Sequence, residues 1–280
     1  MQHCFRPIHI GELNDFLLKN TSKDYDYVYD QIVCVGELFS TKIVSAYLAE
    51  VGFENVWLDA RKLIRTDNAY REAKVDWTIT EQLILKNVDT SKLNITQGFI
   101  GGNKSNTTTL GREGSDFTAA IFGYCLNAID VTIWKDVDGI LNAHPKYFDD
   151  TVLLNQISYK EATEMAYYGA SVLHPKTLKP LENKLIPLNV RSFYKLDNKG
   201  TFVQKGEDLE PRTPCFILNR NQILISISAL DFSFMVENNL SDIFKQLHNY
   251  KLKVNLIQNS ARYGWYIVLM SIRQNTKKHK

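Results

Sequence analysis

Short apolar segments alternate with longer segments of helical periodicity through roughly the first 200 residues of the chain. Strand-like segments lie at 55–58, 93–100, 131–134 and 187–190, and helical spacing is clear, for example, over 117–124. Strands that alternate with helices favour an α/β fold of three layers, in which helices cover both faces of a mainly parallel sheet. Because ligands of such sheets bind beyond the carboxyl ends of the strands, we expect the functional residues there.

Local signals locate two helix starts. Ser158, followed three residues later by Glu161, forms a capping box that opens one helix. Residues 32–35 form a short apolar segment that predicts a strand, and Ser40 is placed to cap the helix after it. Glu37 is therefore expected just beyond the end of a strand.

The composition changes near residues 205–214, where Pro211 and Pro214 bracket charged residues and indicate a linker. Beyond it the sequence predicts a strand, a helix and two more strands, at 222–229, 240–247, 254–257 and 266–270. This β-α-β-β order is the first part of a ferredoxin-like module that is two elements short of completion. We expect a large domain at 1–208 and a smaller one at 209–280.

Charge and composition exclude several functional classes. The net charge of +2 gives no electrostatic support for nucleic acid or a membrane as a partner. The first residues resemble no signal peptide, and no apolar run approaches the roughly 20 residues of a membrane-spanning helix. The four cysteines form no C-x-x-C pair, which favours reduced thiols over a metal site. The cytoplasm is the predicted compartment.

The stretch 107–116 is the richest in chemistry. Gly111 and Gly114 precede a helix, so backbone N–H groups can turn toward an anion there. The start of the helix adds partial positive charge, and Arg112 can bind a carboxylate or phosphate through two parallel hydrogen bonds. Asp116 is suited to a substrate ammonium group. By pattern alone, an ordinary capped turn explains this stretch equally well.

A second stretch, 133–140, is an apolar strand that ends in charged residues. Lys135 is suited to phosphates, and Asp136 to a ribose, a nucleotide base or a metal. Taken alone, the stretch is better explained as a turn in which Asp138 and Gly139 reverse the chain.

The third stretch, 169–176, joins two predicted helices. Gly169 ends the first helix, and Pro175 can open the next at its first turn. His174 between them is more typical of a residue that braces the turn through hydrogen bonds than of a general base. The sequence contains neither a Walker-type P-loop nor G-x-G-x-x-G, so any kinase chemistry must use another scaffold.

Taken in order, these stretches resemble the aspartate kinase family of the amino acid kinase fold. The resemblance covers about nine-tenths of the chain and rests on Gly36-Glu37, 57–67, 96–101, 107–116, 133–139, 161–165 and 169–177. It implies a three-layer αβα fold with a mainly parallel sheet. The family ends in ferredoxin-like ACT regulatory modules, and the segment after Gln222 fits the first of these.

The resemblance also implies roles for individual residues. Aspartate would be surrounded by Glu37, Phe99, Arg112, Ser115 and Asp116, of which Arg112 and Asp116 are the catalytic candidates. ATP would lie along Lys135, Asp136, Leu141, Lys146, Ser171 and Val172. Magnesium would accompany the nucleotide, with no metal site of the protein's own.

Several positions depart from the family pattern. Glu113 stands where a small residue is common, Lys135 where threonine is common, and Ser171 where lysine is common. His144 and Lys146 replace a usual aspartate and arginine, and Lys146 keeps the charge without the planar fork. The family's first strand, ending in Lys-Phe-Gly-Gly, has no counterpart. We expect the kinase domain to lack that strand and its helix, and the ACT module to be incomplete.

The resemblance predicts an ATP-dependent aspartate kinase that makes 4-phospho-L-aspartate in the biosynthesis of lysine, threonine and methionine. The alternative is an inactive remnant that binds aspartate, ATP or an amino acid effector without turnover. An amino acid kinase acting on glutamate or carbamate is disfavoured by stretches 134–139 and 169–177. An unfilled sheet position would lower stability or promote self-association, so a homo-oligomer is expected.

Overall fold

The structure is a computed structural model that describes residues 8–170, 172–206, 208–227, 237–250, 252, 254–260 and 264–270. It forms two compact units that divide between Phe216 and Ile217. Hydrogen bonds hold the segment around Glu210 and Pro214 to the first unit, because Glu210 pairs with Gln156 and Pro214 accepts from Asn142. The domain boundary at 208/209 stays a prediction.

The first unit contains seven helices and eight strands among its described residues. In chain order they are α1 (Ile8–Lys19), α2 (Tyr25–Glu50), β1 (Asn55–Leu58), α3 (Ala60–Leu63), α4 (Trp77–Asn87), β2 (Leu93–Thr96), β3 (Ile100–Gly102), β4 (Thr107–Thr109), α5 (Gly114–Leu126), β5 (Val131–Lys135), β6 (Gln156–Ser158), α6 (Tyr159–Tyr168), α7 (Pro175–Lys184), β7 (Leu188–Ser192) and β8 (Thr201–Gln204).

The predicted strand at 32–35 is wrong, because this segment lies inside the long helix α2. Asp24 caps the helix by accepting hydrogen bonds from the N–H groups of Asp26 and Tyr27. The residues that α2 buries, Asp30, Cys34 and Leu38, are four positions apart, which is the spacing of a helix face. Ser40 is consequently no cap, and Glu37 projects from a helix rather than following a strand.

Helix α2 is long and apolar enough to cross a membrane by length and composition alone. No unbroken apolar run signals this in the sequence, because polar residues such as Asp30 interrupt it. In the fold the helix packs against β1 and β4 through its buried face. Several of its apolar residues are exposed, including Ile43, Val44 and Tyr47.

The strands form a mixed α/β arrangement. Parallel pairs join β1 to β2, β5 to β7 and β6 to β8, whereas β3 with β4 and β7 with β8 are antiparallel. The larger sheet has the order β5-β7-β8-β6. The α/β fold class is therefore confirmed, although antiparallel pairs interrupt the parallel pattern. The single strand predicted at 93–100 is divided, since Phe99 takes a left-handed conformation (φ 69°) between β2 and β3.

Helix α5 packs against β5 of the larger sheet and against α7. Alternate residues of β5 and β7 are buried: Val131, Ile133, Leu188 and Val190. A Cβ atom at Gly123 would lie 2.5 Å from Val131 Cγ2 and 3.3 Å from a methyl group of Leu181. Glycine at this position therefore lets α5 approach both β5 and α7 closely.

The helix signals near α6 and α7 are confirmed. Ser158 accepts a hydrogen bond from the N–H of Glu161, and Gly169 ends α6 in a left-handed conformation (φ 113°). His174 caps α7 by accepting from the N–H of Lys176, and Pro175 occupies the first turn. His174 therefore braces a turn, as its sequence context indicates.

The second unit consists of β9 (Gln222–Ile227), α8 (Glu237–Asn249), β10 (Val254–Ser260) and β11 (Gly264–Met270). The strands pair antiparallel in the order β10-β11-β9. The predicted β-α-β-β order is confirmed, and the central place of the third strand of the unit fits the first part of a ferredoxin-like module.

Candidate functional site

Two helix starts meet at the carboxyl end of β5. Helix α5 runs antiparallel to β5, since Asp116 contacts Lys135 at one end while Gly123 approaches Val131 at the other. Helix α7 lies beside α5 in the same direction: its Lys184 donates to the carbonyl of Tyr124 near the C-terminal end of α5. The N-terminal ends of both helices therefore point to the edge of the sheet where β5 ends. Partial positive charge at both ends makes this edge suitable for an anion.

Left-handed backbone shapes the turn before α5. Phe99, Gly111 and Glu113 all have positive φ, at 69°, 81° and 53°. Such a conformation is unfavourable for a bulky residue like phenylalanine, and it persists only where surrounding contacts enforce it. The N–H of Phe99 donates to Thr118 Oγ1, and its carbonyl accepts from the N–H of Leu110.

Glycine is required where the two turns touch. A Cβ atom at Gly114 would lie 2.7 Å from Phe99 Cδ2, and one at Gly98 would lie 2.9 Å from Ser115 Cβ. The cap position, Glu113, makes no side-chain hydrogen bond to the first turn of α5. The N–H of Gly114 donates to the carbonyl of Gly111, so the next N–H groups of the first turn are those available for a bound anion.

Arg112 lines a cavity of about 670 Å³ beside this turn, which is the larger of two cavities described below. The lining residues are Asp26, Tyr29, Tyr70, Arg71, Glu72, Phe99, Thr109, Gly111 and Arg112. Arg71 stacks on the ring of Tyr29 at 4.7 Å and pairs with Asp26 at 3.3 Å. The cavity thus presents two guanidinium groups, which suits a dicarboxylate ligand.

Asp30 anchors a wall of this cavity and was missed in the sequence analysis. It is fully buried and accepts hydrogen bonds from the N–H of Arg71 and from both the N–H and the hydroxyl of Thr109. Burial raises the pKa of Asp30, while these hydrogen bonds oppose the rise. An acidic residue spaced four positions before Cys34 and eight before Leu38, on the apolar face of a helix, is the signal that could have identified it.

Lys135 and Asp116, predicted for different ligands, contact each other. Lys135 Nζ lies 2.8 Å from Asp116 Oδ2 and 3.3 Å from Glu113 Oε2. Burial raises the pKa of Asp116 and Lys135 opposes the rise, whereas the two carboxylates overcome the burial of Lys135 and raise its pKa. Glu113 and Lys135, which both differ from the residues common in the family pattern, therefore belong to one ion cluster.

Glu37 lies on α2 next to the 97–99 turn. Its neighbour Leu38 belongs to a buried cluster against which Phe99 packs. One helical turn further on, Thr41 accepts hydrogen bonds from Trp57 Nε1 and from the side-chain amide of Gln97. Glu37 is half-buried, and this burial raises its pKa.

A second cavity, of about 610 Å³, includes Gly98 and Ser115 in its lining. The predicted aspartate residues are therefore divided: Phe99 and Arg112 line the first cavity and Ser115 lines the second. Within the described residues, Thr96 Oγ1, also in this lining, is buried without a hydrogen-bond partner.

The predicted ATP residues lie on strand ends and loops. Lys135 ends β5, and Asp136 follows it as an exposed residue. Leu141 and Lys146 lie on the segment between β5 and β6, and the half-buried Val172 lies in the turn before α7. Ser171 lies outside the described residues.

The loop after β5 is fixed close to its start. Gly139 (φ 148°) packs so closely on Thr201 that a Cβ atom would lie 2.6 Å from the threonine hydroxyl. That hydroxyl accepts a hydrogen bond from the N–H of Ile140 at 2.7 Å. Residues 136–139 form a bend after β5, and the interpretation of Asp138 and Gly139 as the turn that reverses the chain stays a prediction.

In the part of the chain that the structure describes, no group of three or more histidine, cysteine, aspartate or glutamate side chains is placed to hold a metal ion. The donor set at the end of β5, two carboxylates already paired with a lysine, is not a standing metal site.

Comparison with a family model and with curated proteins relates this chain to amino acid kinases. A model of the amino acid kinase family matches residues 7–192. Lysine-sensitive aspartokinase 3 of Escherichia coli is 37% identical over 236 residues, which cover 82% of this chain and 52% of that protein. The chain thus spans about half the length of this curated relative.

Solved structures of an aspartokinase are also similar to this chain. The crystal structure of E. coli aspartokinase III with aspartate and ADP matches with a TM-score of 0.80 and 32% identity, covering 95% of this chain and 60% of that one. The structure of the same enzyme with lysine and aspartate matches with a TM-score of 0.74 and 33% identity, covering 94% and 61%.

Proposed function

This chain belongs to the amino acid kinase family, and on that basis we propose that it forms the catalytic part of an aspartate kinase. The reaction is the transfer of the γ-phosphoryl group of ATP to the side-chain carboxylate of L-aspartate. The observation that carries the proposal is the convergence of the α5 and α7 starts beside Arg112, Asp116 and Lys135 at the end of β5. Similarity to an aspartokinase solved with aspartate and ADP supports the choice of substrates.

Aspartate binds next to the turn before α5 in this proposal. Arg112 holds a carboxylate, with Phe99 beside it in the larger cavity. Glu37 or Asp116 faces the ammonium group, and Ser115 contributes from the helix start. Arg71, which the sequence analysis did not select, adds a second cation to the wall of the same cavity.

ATP binds along the end of β5 and the loop after it, at Lys135, Asp136, Leu141, Lys146, Ser171 and Val172. Positive charge from Lys135, Lys146 and the helix starts neutralises the phosphates. Magnesium bound to the nucleotide supplies further neutralisation of phosphate charge.

The chemistry requires alignment more than proton transfer. An oxygen of the aspartate side-chain carboxylate bonds to the γ-phosphorus, the bond from that phosphorus to the bridging oxygen breaks, and ADP leaves with the electron pair. A carboxylate is already ionised at neutral pH, so no general base is needed. Arg112 and the N–H groups at the start of α5 orient the reactants and stabilise the charge that develops.

We further propose that the second unit is part of an ACT module that binds an amino acid effector, lysine or threonine. Its β-α-β-β order supports this assignment, as does the structure of a relative solved with lysine and aspartate. The protein acts as a cytoplasmic homo-oligomer in amino-acid biosynthesis in this proposal.

Calorimetric titration with Mg-ATP and with L-aspartate, followed by a coupled assay of ADP release, tests the function. We expect both ligands to bind, with turnover on L-aspartate and none on L-glutamate. Binding without turnover would instead identify a remnant that kept its pockets, and turnover on L-glutamate would exclude the assigned substrate.

Arg112→Lys provides a residue-level test. Loss of the planar fork should weaken aspartate binding about tenfold, or roughly 1.4 kcal/mol, because lysine cannot make two parallel hydrogen bonds to a carboxylate. Arg212→Lys is the matched control, since Arg212 pairs with Asp208 and its side chain is 81% exposed. Equal losses in the two variants would contradict the assignment of Arg112.

A further inference from the structure

The cluster of Lys135, Asp116 and Glu113 contains a cation shared by two carboxylates. Lys135 Nζ lies 2.8 Å from Asp116 and 3.3 Å from Glu113. The side chains of Lys135 and Asp116 are only 16% and 13% exposed, whereas that of Glu113 is 30% exposed. The lysine therefore lies nearest to the more enclosed of its two partners as an ion pair, while its ammonium group donates a hydrogen bond to the more open one.

Asp116 is one of the two carboxylates, with Glu37, that the proposed function offers to the substrate ammonium. In the structure that carboxylate is paired with an ammonium group of the protein. Two ammonium groups at one enclosed carboxylate repel each other, and this repulsion is stronger in a partly buried site than in water. An amino acid must therefore compete with Lys135 for Asp116.

The ammonium group of Lys135 can pair with groups other than Asp116. Its stem is long and flexible, and Glu113 can hold the ammonium without Asp116. Lys135 is the last residue of β5, at the edge of the sheet where α5 and α7 begin. An anion bound at these helix starts would therefore be close to the ammonium group of Lys135. A bound phosphate therefore attracts Lys135 away from Asp116.

We propose that Lys135 is an internal cation that occupies Asp116 until a nucleotide phosphate draws it away, so that nucleotide and amino acid strengthen each other's binding. The inference rests on the proposed function and names a coupling within the same site. Because the coupling is a property of binding free energies, each ligand tightens the other by the same factor. Glu113 is a positioning residue that holds Lys135 close to Asp116 without confining it there.

The test is the affinity for L-aspartate with and without saturating Mg-ADP, measured by calorimetry on the full chain. We expect at least about fivefold tighter binding with Mg-ADP, the lower end of ordinary coupling between two sites. Succinate is the matched ligand, since it carries both carboxylates of aspartate and no ammonium group. Its affinity should change less than twofold, because it makes no demand on Asp116.

Two variants move the coupling in opposite directions. Lys135→Met removes the competing ammonium and should reduce the effect of Mg-ADP on aspartate affinity to less than twofold. Glu113→Gln leaves Asp116 as the sole carboxylate partner of Lys135, so aspartate alone should bind more weakly and the coupling should increase. Lys195→Met is the control, since Lys195 pairs with Asp138 outside this cluster and its side chain is 59% exposed.

The outcomes separate the inference from the proposed function. Binding of both ligands with no coupling in the unaltered chain, or equal coupling for succinate and aspartate, would overturn the inference alone. Failure of the unaltered chain to bind either ligand would overturn the proposed function and the inference with it. Should Lys135→Met fail to fold, an unchanged coupling in Glu113→Gln would still count against the inference.

Discussion

The two halves of the candidate site are built differently. The amino-acid half, around the 98–99 and 111–114 turns, is held by buried contacts: Asp30 fixes the cavity wall and Thr118 fixes Phe99. The nucleotide half continues from Lys135 into a long segment before β6, on which Asp136 and Lys146 are exposed. The amino-acid half is therefore shaped by buried contacts of the fold, whereas residues of the nucleotide half are positioned mainly by the loop that carries them.

Substitution of Asp30 should have the largest effect. Asp30→Ala leaves the buried N–H and hydroxyl of Thr109 and the partly buried N–H of Arg71 without an acceptor, which should lower the free energy of unfolding by about 3 kcal/mol. Chemical denaturation measures this. Asp149→Ala, at an exposed position on the loop of the nucleotide half, should change stability by less than about 0.5 kcal/mol. Similar losses for the two variants would remove the distinction between the halves.

A methyl group at Gly114 should have an intermediate effect. Gly114→Ala forces Phe99 out of its place, since the new Cβ atom would lie 2.7 Å from the ring, and should cost about 1–3 kcal/mol of stability. Aspartate affinity, measured by calorimetry, should fall more than Mg-ADP affinity. Gly36→Ala is the control and should change stability in the opposite direction. A Cβ atom at Gly36, in the middle of α2, would have no neighbouring atom within 4 Å, so alanine should stabilise the chain by about 0.5–1 kcal/mol.

The smallest effect concerns pH and Glu37. Burial raises the folded-state pKa of this carboxyl above the ordinary value of 4.5. A raised carboxyl pKa means that the folded state holds its proton longer than the unfolded state does, so the contribution of Glu37 to stability falls as pH rises through and above 4.5. Urea denaturation across this range should show a weaker decline in Glu37→Gln than in the control Glu50→Gln. An identical pH profile in both variants would contradict this cause.

The sequence predicted the elements that carry strong local signals. The capping box at Ser158 and the glycine at Gly169 locate α6 because capping is a matter of a few neighbouring residues. The region of α2 could not be predicted in the same way. Residues 32–35 are apolar and β-branched enough to suggest a strand, and only the distant partners of Asp30 and Gln31, such as Thr107 and Thr109, show which face is buried.

The candidate site shows the same contrast between features set by local sequence and contacts set by distant residues. The positions of Arg112 and Lys135 relative to a helix start and a strand end follow from local patterns. Their partners do not: a contact between Lys135 and Glu113 joins residues 22 positions apart, and it depends on how α5 lies on the sheet. A strained residue such as Phe99 also has no local signature, since its conformation is enforced by Thr118 and Leu110 from outside its own segment.

The bond between Asp30 and Thr109 has a consequence for how the chain folds. These residues are 79 positions apart, so the wall of the amino-acid cavity closes only after a loop of that length has been brought together. Closing such a loop costs chain entropy that local helices do not face, and contacts of this kind slow folding. We therefore expect the helices of the first unit to form early in refolding and the capacity to bind aspartate to appear with the last kinetic phase.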